Sequence, residues 1–123
     1  MKLHLHEFGE RNVIRRCQDG TITINEQTYR DSVVVTPDTL VDDWRPNSIE
    51  ELTANDLGSV AQLGVELVIL GTGTRQVFPA AHVLEPLVTA AVGIEVMDSS
   101  AAARTYNIVA SEGRNVAAAI LLA

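Results

Sequence analysis

Two short polar loops carry the side chains best suited to chemistry. The first loop, Gly71-Thr72-Gly73-Thr74-Arg75, directly follows an apolar run, and the second, Asp98-Ser99-Ser100, follows the next one. Glycines let backbone N–H groups approach an anion, and a helix N-terminus adds positive potential. The loops therefore predict an anion site. The alternative is a tight turn that needs glycine only for its conformation, because the pattern has two glycines rather than three and no Walker lysine.

A second group of polar residues follows close behind in the sequence. Arg104 and Asn107 are three residues apart, so they share one face of a predicted helix, and Arg114 comes soon after. Guanidinium groups recognise carboxylates and phosphates through paired hydrogen bonds. We therefore expect a ligand site between the two loops and these three residues. The alternative is a structural network in which an arginine pairs with Asp98, Glu95 or Glu112.

No complete catalytic or metal-binding constellation is visible. Ser99 and Ser100 are more simply explained as residues that cap a helix than as nucleophiles, because nothing places His82 against them. His4 and His6, with Glu7 nearby, make only a weak metal pair, and a lone cysteine, Cys17, forms neither an internal disulfide nor a Cys-rich zinc site. We predict no catalytic residue, no metal and no cofactor.

The bulk properties narrow the class of protein. The chain has 123 residues, 46% of them apolar, which fits one domain over residues 1–123. A net charge of −7 disfavours nucleic-acid binding. No apolar run approaches the ~20 residues that span a bilayer, so we predict no membrane insertion. The single thiol and the lack of a signal-peptide pattern favour the cytoplasm. The composition leaves the oligomeric state open.

The hydrophobic pattern predicts an α/β fold. A three-strand β-meander is expected over residues 12–35, its last strand running from 28 to 35, followed by an irregular connection over 38–47. A helix then begins at Ser48, or at Thr53 or Asn55, and ends near Leu63. Residues 65–70, 94–97 and 115–122 are predicted strands, separated by helices at 79–91 and 101–112, the first of them kinked or interrupted by Pro86. Such a βαβαβ unit requires parallel strands.

Three aromatic residues are candidates for partner binding or for core packing. Trp44 is either an anchor for a protein partner or a plug at the edge of the core, and we include it with Phe78 as a candidate partner-binding residue. Tyr106 is expected to be a half-buried anchor whose hydroxyl reaches water.

Several segments resemble one family. They are Ser32 to Pro37, Trp44, the strings ILGTG at 69–73 and GIEVMD at 93–98, ARTYN at 103–107, and EGRNVAAA at 112–119. This set is similar to the small bacterial and archaeal proteins of unknown function whose family includes mitochondrial complex I assembly factor 3 and the adipogenesis-associated domain protein. Ser99-Ser100 departs from the threonine and small residue expected there, but keeps the capping chemistry.

The resemblance implies a three-layer fold around a mixed sheet and no established enzyme activity. It also implies a protein partner, because the mitochondrial relative acts through protein partners during assembly of a respiratory complex. We therefore expect a non-enzymatic binding or assembly protein. The alternative is a small anionic-ligand-binding protein or enzyme that uses the predicted site.

Overall fold

The computed structural model describes residues 2–5 and 11–123, and within them the chain forms nine strands and three α-helices. The strands are β1 Lys2–Leu5, β2 Ile14–Gln18, β3 Thr21–Ile24, β4 Gln27–Tyr29, β5 Val33–Val35, β6 Thr39–Asp42, β7 Leu67–Thr72, β8 Gly93–Met97 and β9 Val116–Leu121. The helices are α1 Ala54–Ala61, α2 Ala81–Thr89 and α3 Ser99–Ser111, and a 3-10 turn spans Ile49–Glu51.

The central element is a six-stranded mixed sheet in the order β1-β6-β5-β9-β7-β8. Strand β7 pairs in parallel with both β8 and β9, whereas β5, β6 and β1 are joined to this unit by antiparallel pairs. The predicted βαβαβ unit with parallel strands is therefore confirmed. The helices α2 and α3 make the two crossovers that parallel neighbours need.

Alternating side chains along the buried strands build two cores, one on each face of the sheet. In β9, Val116, Ala118 and Ile120 face one core, while Ala117, Ala119 and Leu121 face the other. The first core is closed by α3 and by a separate three-stranded sheet, β2-β3-β4. The second is closed by α1 and α2. The three layers that the family resemblance implies are therefore present, and the apolar runs reflect strands covered on both faces.

The predicted meander is corrected at its third strand. Residues 28–35 do not form one strand: β4 ends at Tyr29 in the small sheet, and β5 begins at Val33 in the large one. The chain changes sheets between them, so that β5 pairs with both β6 and β9. The connection predicted over 38–47 is also wrong in part, because Thr39–Asp42 forms β6. Arg30, Asp31 and Ser32 are polar and separate the two strands, and the chain changes sheets at this interruption.

The start of α1 lies at the second of the predicted positions. Ser48 makes no capping hydrogen bond and precedes only the 3-10 turn. Thr53 caps α1 instead, because its hydroxyl accepts from the Asp56 N–H while Asp56 Oδ2 accepts from the Thr53 N–H at 2.9 Å. Arg45 donates to both Asp56 carboxylate oxygens, at 2.9 and 2.7 Å. The next helix, α2, continues through Pro86 rather than being interrupted there.

Candidate functional site

The carboxyl ends of β7, β8 and β9 converge at one edge of the sheet, where a cavity of about 240 Å³ opens. Ligands gather at this edge in open parallel sheets. The cavity lies between the turn of the β2–β3 hairpin and the start of α3. Its lining residues are Cys17, Gln18, Asp19, Gly20, Thr21, Gly73, Thr74, Asp98, Ser99, Ser100, Leu121 and Leu122. The two predicted loops therefore meet here.

Ser99 is the residue that ties these strand ends together. Its hydroxyl donates to the Leu121 carbonyl at 2.5 Å and accepts from the Gly73 N–H at 2.8 Å. The Ser99 N–H also donates to the Gly73 carbonyl, at 2.8 Å. The side chain is buried, with 5% exposed. Ser99 thus joins the ends of β7 and β9 to the first turn of α3, which leaves its hydroxyl committed to the fold.

The glycines of the first loop allow a close approach of backbone and helix. A Cβ added at Gly71 would lie 2.8 Å from Ser99 Oγ and 2.9 Å from Ser99 Cα. Gly73 has φ +98°, and a Cβ there would collide with the Ala123 carbonyl oxygen. Both positions exclude larger residues for steric reasons. The tight-turn alternative from the sequence therefore accounts for both glycines.

Thr72 fastens the loop that leaves β7. Its buried hydroxyl donates to the Arg75 carbonyl at 2.5 Å and accepts from the Val77 N–H at 3.0 Å. Gln76 then donates from Nε2 to the Val96 carbonyl of β8, at 2.9 Å. The Arg75 side chain is exposed. Arg75 does not line the cavity, so it is not part of a site there, contrary to the prediction.

Asp98 and Cys17 face each other across the cavity. Asp98 is the N-cap of α3, and its Oδ1 accepts from the Ala101 N–H at 2.8 Å. Burial, together with the nearby Asp98 carboxylate, raises the pKa of the Cys17 thiol from 9.0 to about 11. A neutral thiol is a poor nucleophile. The carboxylates of Asp98 and Asp19 make the cavity wall acidic rather than basic.

Two neighbouring residues of α3 hold the small sheet. Asn107 accepts from the Ile14 N–H at 2.9 Å and donates to the Ile14 carbonyl at 2.7 Å. Tyr106 is fully buried, and its hydroxyl donates to the Asn12 carbonyl at 3.0 Å. The expectation that this hydroxyl would reach water is wrong. Burial is also the main reason that the pKa of Tyr106 lies far above its usual value.

The predicted arginines lie at opposite ends of the sheet. Arg104, on α3, is exposed and donates from Nη1 to Ser100 Oγ at 2.9 Å. Arg114 precedes β9, so it lies at the amino end of that strand, where it pairs with Glu66 at 3.3 Å. It is thus not beside the carboxyl-end cavity. The predicted site that joined Arg104, Asn107 and Arg114 is corrected, because α3 continues from Arg104 to Ser111 and carries the chain to the amino end of β9 before Arg114.

The two candidate partner-binding aromatics behave differently. Trp44 is only 2% exposed and belongs to the core under α1 and α2, so it does not anchor a partner. Of its two readings, the core plug is correct. Phe78 has 68% of its surface exposed. It therefore remains available for contact with another molecule.

The proposed histidine site falls largely outside the described residues. His6 and Glu7 lie outside them, and His4 is placed only as a backbone position in β1. Among the residues that the structure does describe, no group of three His, Cys, Asp or Glu side chains is arranged to hold a metal ion.

A second arginine pair was missed by the sequence reasoning. Arg15 and Arg16 in β2 line an open cleft against α3 that also contains Arg104. The available signal was the adjacency of two arginines inside a predicted strand, where alternation would send one of them toward the core. That conflict indicates either a misplaced strand or a local irregularity.

A family model described as "Protein of unknown function (DUF498/DUF598)" matches residues 14–121. The chain belongs to this family. The match covers most of the chain and includes every helix and strand described above except β1. The family resemblance seen in the sequence is thereby confirmed.

Two solved structures of bacterial family relatives share the fold. A crystal structure of a Bordetella parapertussis protein is 34% identical, covers 95% of this chain and 100% of its own, and superposes with a TM-score of 0.88. A solution structure of a Xanthomonas campestris protein is 37% identical, covers 95% of this chain and 89% of its own, and has a TM-score of 0.83.

A curated relative carries a functional name. NADH dehydrogenase [ubiquinone] 1 alpha subcomplex assembly factor 3 of Danio rerio is 32% identical over 100 residues, which is 80% of this chain. The match covers 57% of that relative, so the chain spans less than two thirds of its length. Across residues 2–5 and 11–123, no helix combines the length and apolar character that a bilayer crossing requires.

Proposed function

We propose that this protein is a non-catalytic binding protein that assists the assembly of a protein complex, and that it contacts its partner through the outer edge of β8 and the adjoining surface of α2. The observation that carries the proposal is an incompletely covered core at this edge. The name of the Danio rerio relative, an assembly factor, supports the same class of function. The identity of the complex is left open, and the cytoplasmic location stays a prediction.

The β8 edge is where the second core meets solvent. Leu84, Val92, Ile94 and Val96 pack against that core but are only partly buried. Strand β8 is the last strand of the sheet, so no further strand covers it within the described residues. Partly covered apolar side chains at an open sheet edge are typical of surfaces that a partner completes.

Two exposed apolar residues extend this surface along α2. Phe78 precedes the helix and Val88 lies in its last turn, and each is 68% exposed. Neither residue closes the core of this chain, because both face solvent. We call the surface formed by Phe78, Leu84, Val88, Ile94 and Val96 the β8-edge surface. Its proposed occupant is an apolar surface of a protein subunit.

The test compares quantitative capture by wild-type protein and two surface variants. Partners are crosslinked to each protein and quantified by mass spectrometry. The Phe78→Ser/Val88→Ser double variant should capture much less of the partner than wild type does. Ile108→Ser is the matched control, since Ile108 is 61% exposed but lies on α3 at the opposite face. The captured partner is then purified and titrated against all three proteins. Equal affinity of wild type and the double variant would refute the proposed surface.

A second function, the binding of a small anion at the carboxyl-end cavity, is the alternative that the sequence suggested. Its position at the carboxyl ends of the parallel strands favours it. The carboxylates of Asp19 and Asp98 on its wall oppose it. A thermal-shift titration with inorganic phosphate tests it, because a ligand that binds the native state raises the melting temperature. An unchanged melting temperature at millimolar phosphate would exclude this alternative.

A further inference from the structure

An open cleft with three arginines lies between β2 and α3. It encloses about 320 Å³. Arg15 and Arg16 enter it from the strand and Arg104 from the helix, with Ser100 and Asn107 as polar neighbours. Among the described residues that line this arginine cleft, none is aspartate or glutamate. Its charge is therefore opposite to that of the carboxyl-end cavity beside it.

A β-bulge explains why two consecutive arginines are both exposed. Ile14 is opposite Ile24, and Arg16 is opposite the next residue, Thr23, so Arg15 is an extra residue in β2. A regular strand would direct Arg15 and Arg16 to opposite faces. The bulge bends the strand and redirects its side chains. Ile14 stays buried in the core, while both arginines reach solvent.

The cleft is preorganised by hydrogen bonds at its base. Arg104 is held from below by Ser100 Oγ at 2.9 Å. Asn107 binds both backbone groups of Ile14, which fixes the strand to the helix directly beside the bulge. Preorganised groups lose less conformational entropy on binding. The backbone positions that carry the three arginines are thus set by the fold.

The positive charge of the cleft contrasts with the rest of the chain. Three of the nine lysines and arginines lie here, in a protein of net charge −7. Within residues 11–123, ion pairs link Arg45 to Asp56 and Arg114 to Glu66, and neither involves the cleft. Its guanidinium groups therefore face solvent and retain their capacity for carboxylates.

We propose that the arginine cleft binds an acidic segment of the partner protein, a second contact that rests on the proposed function. An extended polypeptide suits the cleft better than a small anion does. A small anion would occupy one guanidinium fork and leave the other two unpaired. Side-chain guanidinium groups spread along an open cleft match successive carboxylates instead.

The experiment measures binding of a fluorescein-labelled Glu-rich peptide by anisotropy, over a range of salt concentrations. The Arg16→Glu/Arg104→Glu protein should bind at least about tenfold more weakly than wild type. The control, Arg30→Glu/Arg75→Glu, carries the same charge change at two exposed arginines outside the cleft and should stay within about twofold of wild type. Far-UV circular dichroism confirms that both variants are folded.

Three outcomes would overturn the proposal. Equal weakening by both double variants would mean that net charge alone governs binding. Undiminished binding by the cleft variant would place the peptide elsewhere. If inorganic phosphate bound more tightly than the peptide, displaced it, and lost affinity in the same arginine variants, the cleft would be assigned to a small anion. The Phe78→Ser/Val88→Ser protein should bind the peptide normally, so a failure of the β8-edge surface is distinguished from a failure of the cleft.

Discussion

The hydroxyl of Ser99 donates a 2.5 Å hydrogen bond to the carbonyl of Leu121, and so connects the first turn of α3 to the last residue of β9. Since the same oxygen accepts from Gly73, one small side chain joins two adjacent strands and a helix. The edge of the sheet where a ligand would be expected is thus also a structural junction. Substitutions there should therefore lower the free energy of unfolding.

Replacing Ser99 with alanine should destabilise the protein by about 1–3 kcal/mol, because the Leu121 carbonyl and the Gly73 N–H lose their shared partner in a buried position. The free energy of unfolding, measured with urea, checks this. Ser100→Ala is the matched control, since the neighbouring side chain is exposed and should change stability by less than about 0.5 kcal/mol. Equal stabilities for the two variants would contradict the junction role.

Substituting Gly71 with alanine should cost about 1–3 kcal/mol, because the new methyl group would press on the backbone of Ser99 as well as its hydroxyl. Gly58→Ala is a control with the opposite sign. Gly58 lies inside α1, and a Cβ added there would contact only Pro86 Cβ, at an ordinary 4.0 Å. Alanine should therefore stabilise that helix by up to about 1 kcal/mol. Thermal unfolding of both variants measures the difference.

Asp56 should make stability depend on acid pH. Burial raises the pKa of this carboxyl, but the hydrogen bonds from Arg45 and Thr53 outweigh it, so the pKa lies below its ordinary value of 3.8. A lowered folded-state pKa contributes stability above the unfolded value, and that contribution is lost as the pH falls through the folded value. Unfolding of the Asp56→Asn protein should thus depend less steeply on pH below about 4. Identical pH profiles would refute this.

Cys17 should react slowly with thiol reagents. With a pKa of about 11 instead of 9.0, the thiolate fraction near neutral pH is about a hundredfold lower. The rate of reaction with Ellman's reagent is the measurement, with the urea-unfolded protein as reference. Asp98→Asn, which keeps a good N-cap residue, should speed the reaction of the folded protein. A folded thiol that reacts as fast as the unfolded one would contradict the assigned pKa.

The parallel core of the fold was predictable from the sequence because β7 and β9 are buried on both faces and form continuous apolar runs. The apolar runs around Val68, Ile94 and Ala118 each form a strand, in the expected direction. The polar residues at 30–32 signal a break after Tyr29, but no local pattern shows that β5 joins the other sheet. Sequence reasoning sees local pattern, whereas the choice of sheet depends on distant partners.

The candidate site was predicted less completely. Asp98 and Ser99 were correctly expected at the start of a helix, but the bonds from Ser99 to two strand ends depend on tertiary contacts. Arg114 was grouped with Arg104 by nearness in sequence, although a helix carries the chain to the other end of the sheet between them. The bulge at Arg15 leaves no local signature beyond an arginine pair. These misses share one cause, which is geometry set at long range.

The attachment of β2 to α3 imposes an order on biosynthesis. The contacts of Asn107 with Ile14 and of Tyr106 with Asn12 join positions 93 and 94 residues apart. The small sheet is synthesised before α3, the helix that packs over Ile22 and Ile24. Until then this nascent hairpin presents bare isoleucines to its surroundings. This exposed apolar surface is of the kind that chaperones bind during synthesis.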